Sequence, residues 1–184
     1  MKELKVTESS KIPELLQIEL AVHADDRGSF TEVYQQEKIK AAGLPDWFTP
    51  VQTNFSHNNE LGVLRGIHAE PWNKYITPLN GEVFVAIVDL REGNFGVLET
   101  FKLKLGHGLF VPKGCGNSYQ TLTENVDYLY HVDDHWKAGL SYPSINPFDL
   151  ELSIDWPIAK TKAILSDKDL ANPNLSEVTP LKGL

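Results

Sequence analysis

The sequence contains a single cysteine, Cys115, and this scarcity excludes an intrachain disulfide. Disulfides are typical of small secreted proteins, whereas a lone thiol suits the reducing cytoplasm. Cys115 lies in the glycine-rich segment KGCGN, so we interpret it as a small residue that fills a turn and not as a catalytic thiol. The chain also lacks an apolar run of about 18 residues that would span a membrane, and its first residues lack the apolar core of a signal peptide. We therefore expect a soluble cytoplasmic protein.

Positive charge is scarce as well. The chain has 17 Lys and Arg against 25 Asp and Glu, which gives a net charge of −8. General binding to nucleic acids depends on cations that meet phosphates, so this composition argues against a nucleic-acid partner. It remains compatible with a phosphorylated small molecule, because a few locally placed arginines are sufficient to bind one.

The length of 184 residues is sufficient for one domain with a buried core and short for two, so we predict a single domain over residues 1–184. From Gly62 to Trp136, seven short runs of β-forming residues are separated by turns such as Asn-Gly and Thr-Glu-Asn. This spacing predicts an all-β sandwich or barrel, since alternating strands and helices of the α/β type are not found in it.

The flanking segments show weaker local patterns. They predict a strand or two in residues 1–23, a turn at 25–28 and a further strand at 29–34. A short helix is predicted at 35–43 and another strand at 51–58. In the last of these, Gln52, Asn54 and Ser56 share one face of the strand. Residues 137–184 have little periodicity, apart from Ser166–Asp167–Lys168–Asp169, which is predicted to cap a short helix.

Two stretches resemble the paired motifs of the cupin superfamily, which are small double-stranded β-barrels of the jelly-roll type. The first runs from Gly62 to Gly81 and the second from Gly106 to Asn117. Where metal-binding cupins carry three histidines and a glutamate, this chain has His68, Glu70, Lys74 and Asn117. A lysine ammonium has no lone pair to donate and repels a divalent ion, so the pocket is predicted to hold no metal and to carry out proton chemistry.

Six longer segments are more specific than a fold pattern: VLRGIHAEPWNKY, GEVFVAIVDLREG, FVPKGCGNSYQTL, YLYHVDDHW, LELSIDWP and ILSDKD. They occur in the same order in the dTDP-4-dehydrorhamnose 3,5-epimerase (RmlC-like) family, which the chain resembles over roughly residues 13–182. The resemblance implies an all-β cupin barrel with an N-terminal arm and short C-terminal helices. It also implies a homodimeric enzyme without a cofactor, which inverts C3 and C5 of a nucleotide-linked 4-keto-6-deoxyhexose on the way to L-rhamnose or a related sugar.

The resemblance also assigns catalytic roles to four residues. It implies that His68 is the general base, Tyr130 the general acid, Asp169 the carboxylate that orients the histidine, and Lys74 the cation near the C4 oxygen of the sugar. These residue types suit the chemistry, because removing a proton next to a ketone near pH 7 needs a base such as histidine. The enolate needs a positive donor, and inversion needs a second group with a proton on the opposite face of the ring.

Further positions match residues that bind the substrate. The resemblance implies that three residues reach the nucleotide of a neighbouring subunit, namely Arg27, Phe30 and Glu32. It implies that three others hold the base, sugar or pyrophosphate, namely Gln52, Asn54 and Arg65. Two pocket positions depart from the family, since Asn117 stands where many relatives have histidine and His135 where tyrosine is usual. These departures put the fit of the substrate in question.

Each assignment has a structural alternative. Tyr128 shares a face with Tyr130 and competes for the role of the acid, and Asp169 is equally suited to cap a helix. Lys74 is alternatively a solvated surface charge, and His131 and His135 are interpreted as part of a polar rim.

Alternative functions remain open at this point. The first is a C3-only epimerase or a ketoisomerase on a related nucleotide sugar, which solvent deuterium at C3 alone would reveal. The second is a cupin that binds a nucleotide sugar without turnover, and the third is a metal-dependent oxygenase, which metal analysis would identify.

Overall fold

The computed structural model describes residues 4–183, which form mainly β-strands. The strands are β1 (Lys5–Glu8), β2 (Leu16–Glu19), β3 (His23–Asp25), β4 (Gly28–Phe30), β5 (Gln52–Asn58), β6 (Leu64–His68), β7 (Lys74–Asn80), β8 (Glu82–Asp89), β9 (Leu98–Lys104), β10 (His107–Val111), β11 (Cys115–Thr121) and β12 (Val126–Val132). The helices are α1 (Gln36–Ala41), α2 (Asp167–Leu170) and a 3-10 turn at Leu175–Glu177. None of the helices described is long and apolar enough to cross a bilayer.

Two antiparallel sheets face each other. One has the strand order β1-β2-β10-β7-β12-β5 and the other β6-β11-β8-β9. Alternate side chains of both sheets point inward and form a core that includes Ile76, Val85, Ile87 and Leu109, each fully buried. The arrangement confirms the predicted jelly-roll barrel.

Each sheet is covered on its outer face by a different end of the chain. Over the six-stranded sheet, α1 and the residues after it bring Ile39 and Phe48 against Phe110. Over the four-stranded sheet, the C-terminal segment brings Leu152 and Leu175 against Val88 and Leu90. Because both of its faces are covered, β8 is apolar and buried along nearly its whole length instead of alternating.

The N-terminal arm ends in a hairpin that differs from the prediction. The expected strand over 29–34 was too long, since β4 ends at Phe30 and pairs only with β3. Beyond it the Thr31 hydroxyl donates to the Ala21 carbonyl at 2.7 Å, and Tyr34 turns inward onto the sheet, with its ring 5.1 Å from that of His131. The predicted helix is confirmed as α1, which is followed by Gly43 with a φ of 122°.

Three local interpretations also need correction. The interpretation of Cys115 as a turn residue is incomplete: its N–H closes a turn onto the Pro112 carbonyl at 3.2 Å, but β11 begins at this residue and its side chain is buried in the core. His131 is not part of a polar rim, since it stacks on Tyr75 at 5.7 Å beneath the N-terminal segment. Asp169 does not cap the predicted C-terminal helix, because the Ser166 hydroxyl accepts the hydrogen bond from its backbone N–H.

Candidate active site

A cavity of about 470 Å³ opens between the two sheets. Strands β5, β6, β7, β11 and β12 contribute side chains to its wall. Asp169 of α2 and Tyr142, which lies in the loop after β12, complete the wall. Most of the predicted site residues line this one cavity: Gln52, Asn54, Arg65, His68, Lys74, Asn117, Tyr130 and Asp169.

The end of β6 is positioned by Gly66. This residue has a φ of 115°, and a Cβ on it would lie 2.5 Å from the Cβ of Ser118 and 2.6 Å from the carbonyl oxygen of Asn117. Only glycine therefore allows β11 to approach so closely. The pairing that results places His68 directly opposite Asn117, with its ring in the cavity wall.

His68 is held by a carboxylate from the far end of the chain. Its Nε2 lies 2.7 Å from Oδ1 of Asp169, although the two residues are 101 positions apart. The carboxylate only accepts hydrogen bonds, so Nε2 carries the proton and donates it to Asp169. The lone pair of the neutral ring is then on Nδ1, so this nitrogen can accept a proton as a base.

Asp169 is buried, with 6% of its surface exposed. Burial by itself raises the pKa of this carboxyl, but the hydrogen bond and charge of His68, together with a hydrogen bond from Ser166, outweigh burial and lower the pKa overall. Asp169 is therefore an anion at neutral pH and stabilises the imidazolium that forms when His68 takes up a proton.

Lys74 begins β7 and is almost fully buried, at 2% exposure. This finding contradicts the alternative of a solvated surface lysine. Its ammonium donates to the carboxylate of Glu70 and, at 3.4 Å, to the carbonyl oxygen of His68. A positive donor thus lies in the cavity wall beside the backbone of His68.

Tyr130 lies on β12, in the sheet opposite β6, where it pairs with Asn54 and Ile76. Burial, followed by the negative charge of Glu70, raises the pKa of its hydroxyl, so Tyr130 is protonated at neutral pH. Tyr128 lines the same cavity, as expected from their shared face, but it is fully buried and its ring stacks on Tyr119 at 4.1 Å.

The predicted substrate-binding residues in the barrel form a polar rim. The Gln52 side-chain amide donates to Asn54 Oδ1 at 2.9 Å, and the Arg65 guanidinium donates to Asn58 Oδ1 at 2.9 Å. Within residues 4–183, three buried polar atoms of the cavity wall have no hydrogen-bond partner: Trp72 Nε1, Asn117 Oδ1 and Tyr128 OH. Buried polar atoms are nearly always paired, so Trp72 Nε1 and Asn117 Oδ1 favour a ligand that carries polar groups.

Four predicted residues are not brought to the cavity. Arg27 and Phe30 are exposed on the β3–β4 hairpin, and Glu32 just beyond it pairs with Lys38. His135 is exposed and lies past the end of β12 at Val132, where the strand alternation no longer applies. Its neighbour Trp136 lines the cavity in its place.

Sequence reasoning assigned no role to two side chains that contact the catalytic candidates. Tyr142 packs edge-on against His68, with ring centroids 6.1 Å apart. It comes from a loop without periodicity, so no local pattern indicated it. Glu70 contacts Lys74, and its only signal was its place in the first cupin motif. Among residues 4–183, no three His, Cys, Asp or Glu side chains lie close enough to hold a metal ion.

Comparisons with known proteins give a consistent result. A family model described as dTDP-4-dehydrorhamnose 3,5-epimerase matches residues 9–177. A Streptococcus pyogenes serotype M6 protein named RmlC homolog is 41% identical, over 98% of this chain and 94% of its own length. The structure of RmlC from Streptococcus suis in complex with dTDP-D-xylose superposes with a TM-score of 0.93 and 38% identity, covering 98% of this chain and 95% of that one.

A second solved structure contains a different dTDP-linked sugar. It is RmlC from Legionella pneumophila Philadelphia 1 in complex with dTDP-4-keto-L-rhamnose, with a TM-score of 0.84 and 32% identity. The match covers 96% of this chain and 95% of that chain.

Proposed function

The chain belongs to the dTDP-4-dehydrorhamnose 3,5-epimerase family, and from this premise we propose how its cavity carries out the reaction. The enzyme is an isomerase that acts on a dTDP-linked 4-keto-6-deoxyhexose in rhamnose biosynthesis and inverts C3 and C5. The observation that supports the mechanism best is the His68–Asp169 pair, which lies in one cavity with Lys74 and Tyr130.

The first step is the removal of a proton next to the C4 carbonyl. Nδ1 of His68 takes the proton from C3 or C5, and Asp169 stabilises the imidazolium through the hydrogen bond at Nε2. The electron pair moves to the C4 oxygen, and the ammonium of Lys74 stabilises the enolate from the cavity wall.

The second step is the return of a proton to the opposite face. The Tyr130 hydroxyl, which is protonated at neutral pH, donates to the same carbon from the six-stranded sheet. Inversion then leaves His68 with one additional proton and Tyr130 with one fewer. A transfer of that proton back to the tyrosinate, directly or through water, resets the pair for the second carbon.

The nucleotide is proposed to lie along the polar rim. Gln52, Asn54 and Arg65 are placed to meet the base, sugar and pyrophosphate, and Arg65 is the cation suited to phosphate oxygens. Asn117 is proposed to bind the sugar, since its unpartnered Oδ1 accepts a hydrogen bond from a hydroxyl. His135 is proposed to contact the substrate from outside the cavity, where it is exposed next to Trp136.

We propose that the enzyme is a homodimer in which Arg27, Phe30 and Glu32 serve the cavity of the partner subunit. The support is that the hairpin presents apolar surface to solvent, with Phe30 66% and Val22 39% exposed. The outer face of β5, which is an edge of its sheet, likewise exposes Phe55. Sedimentation at micromolar concentration should give twice the mass of the chain, and a monomer would contradict this proposal.

We also propose that residues 1–184 act as one domain and that the enzyme works in the cytoplasm. The first proposal is supported by a family match that spans most of the chain. The second is supported by the free, buried thiol of Cys115. Recovery of the protein with the cytoplasmic fraction of its source cells tests the location.

The function is tested with a panel of nucleotide-linked 4-keto-hexoses that vary in the base and in the sugar. The dTDP-4-keto-6-deoxyhexose should be converted with the highest kcat/KM, without added metal and in the presence of EDTA. Conversion that depends on a metal, or a nucleotide that binds without any conversion, would contradict the proposed function.

A further inference from the structure

Glu70 has no role in the steps above, although its carboxylate contacts Lys74 and lines the same cavity as Tyr130. It follows β6 and faces the cavity, where it forms an ion pair with Lys74. The side chains of Glu70 and Lys74 are only 15% and 3% exposed. The loop that carries Glu70 is fixed by two backbone hydrogen bonds, from Trp72 N–H to the Glu70 carbonyl at 2.9 Å and from Ala69 N–H to the Pro143 carbonyl at 2.9 Å.

The position of the Lys74 ammonium depends on Glu70. A lysine side chain has a flexible four-carbon stem, so the acceptors around its ammonium decide where the charge lies. In the part of the chain that the structure describes, these acceptors are the Glu70 carboxylate and the distant carbonyl of His68. A buried ammonium without an acidic partner is strongly destabilised, and Glu70 supplies that partner.

The same carboxylate acts on the tyrosine across the cavity. Burial raises the pKa of Tyr130, and the negative charge of Glu70 raises it further because it repels a tyrosinate. The other groups that bear on Tyr130 are Tyr119 and Tyr142, which act in the same direction, and Arg65, which opposes them.

We propose that Glu70 is a positioning residue of the reaction, which holds the ammonium of Lys74 where the enolate oxygen forms and places a negative charge across the cavity from Tyr130, the proton donor. This inference rests on the proposed function. The site then uses two carboxylates in two different ways, with Asp169 bound to the base and Glu70 bound to the cation beside the acid.

The first test needs no turnover. In protein with 13C-labelled tyrosine, the ring carbon that bears the hydroxyl reports the ionisation of Tyr130 in an NMR titration, and Tyr130→Phe assigns its signal. In Glu70→Gln the charge is lost while the shape is kept, so Tyr130 should ionise at lower pH than in the wild type. The matched control is Glu92→Gln, which breaks an exposed ion pair with Lys182 at 3.3 Å and should leave the titration unchanged.

The second test measures the reaction. Glu70→Gln should lower kcat by about 10–100-fold, the usual scale for the partner of a catalytic group, with KM changed by less than about threefold. The alkaline limb of its pH–rate profile should move to lower pH, and Glu70→Asp, which keeps the charge, should restore the limb. A purely structural role would lower the melting temperature and leave the position of the limb unchanged.

The outcomes separate this inference from the proposed function. A wild-type protein that converts no 4-keto sugar contradicts the function itself. An active wild type together with a Glu70→Gln variant of unchanged kcat and unchanged Tyr130 titration overturns the role of Glu70. If Glu70→Gln does not fold, Glu70→Gln/Lys74→Met removes both charges of the pair. Its Tyr130 should then ionise at lower pH than in Lys74→Met, and an equal titration contradicts the proposal.

Discussion

The barrel cavity and the N-terminal hairpin carry the two parts of the predicted site, and the structure holds them in very different ways. In the cavity, His68, Asp169 and Lys74 are mostly buried, and each has a hydrogen-bonded side-chain partner. On the hairpin, the Arg27 side chain is 90% exposed and its partner is the local Asp25. A catalytic group needs a fixed position, whereas a binding group can be completed by another surface.

The difference indicates how the work is divided. The cavity of one chain holds the proposed base, its orienting carboxylate, the proposed cation and the proposed acid, so the proposed chemistry needs no second subunit. The hairpin, by contrast, presents Phe30 and Arg27 outward, where they are too far along the arm to line their own cavity. Variants of the proposed catalytic residues in the cavity should therefore change kcat. Variants on the hairpin should change KM, and the activity of such a variant should depend on which subunit it is paired with.

The largest effect is expected from His68→Ala. General base catalysis contributes typically ~10²–10⁴-fold, so kcat should fall by a factor in this range or larger. The melting temperature should stay within a few degrees of the wild-type value. The control is His57→Ala, which removes an exposed ring paired with Asp127 outside the cavity. Retained activity together with a large loss of stability would show that His68 is a core residue.

Tyr130→Phe should separate proton removal from proton return. Phenylalanine keeps the ring but has no hydroxyl to donate, so net inversion should fall by about two orders of magnitude while deuterium exchange at C3 or C5 continues. Tyr128→Phe is the matched control and should change neither rate, because the Tyr128 ring is fully buried and stacked on Tyr119, and only one of the two tyrosines is proposed to face the sugar. If Tyr128→Phe is the variant that uncouples exchange from inversion, the roles of the two tyrosines are reversed.

Arg27→Ala should raise KM by about 10–100-fold, the value of one charge-assisted hydrogen bond of roughly 1.5–3 kcal/mol, with little change in kcat.

Mixed dimers sharpen the comparison between cavity and hairpin. In a dimer of Arg27→Ala with His68→Ala, one cavity keeps His68 and receives an intact hairpin from the other chain. Mixing the two variants should therefore restore low-KM activity, and no recovery in dimers shown to be mixed would mean that the hairpin serves its own cavity.

The smallest effect concerns stability at low pH. The pKa of Asp169 is lowered in the folded state despite its burial, chiefly by the hydrogen bond from His68. Asp169 therefore stabilises the folded state at pH values above its ordinary pKa of roughly 3.9. This stabilisation is lost as the pH falls through the lower pKa of the folded state. Asp169→Asn should flatten the fall of the melting temperature over this acidic range, and an unchanged slope would contradict the assignment.

The sequence indicated the cavity better than the arm, for physical reasons. The spacing of the two barrel motifs located His68, Lys74 and Asn117, because each motif is a strand–turn–strand unit whose geometry follows from local residues. The contact between His68 and Asp169 spans 101 positions, and no local pattern encodes it; it came from the resemblance to a family.

The misses occurred where regular structure ends. Alternation placed Gln52 and Asn54 on one face of a strand, and the resemblance to the family assigned them to the substrate. The same resemblance assigned His135 to the substrate, but His135 is exposed and lies beyond the last hydrogen-bonded pair of β12. Tyr142 belongs to a loop whose path is set by tertiary contacts, so its place against His68 was not predictable. The strand at 29–34 was overestimated because burial of Tyr34 against the sheet outweighed the β-propensity of SFTEVY.

The central claim is that one base, His68, removes both protons next to the C4 carbonyl. The most direct measurement is proton NMR of the dTDP-4-keto-6-deoxyhexose incubated with enzyme in D2O, with the C3 and C5 signals followed separately. The wild type should replace both hydrogens with deuterium and invert both carbons, and His68→Ala should replace neither. Exchange at C3 alone in the wild type, or exchange at either carbon that persists in His68→Ala, would contradict the claim.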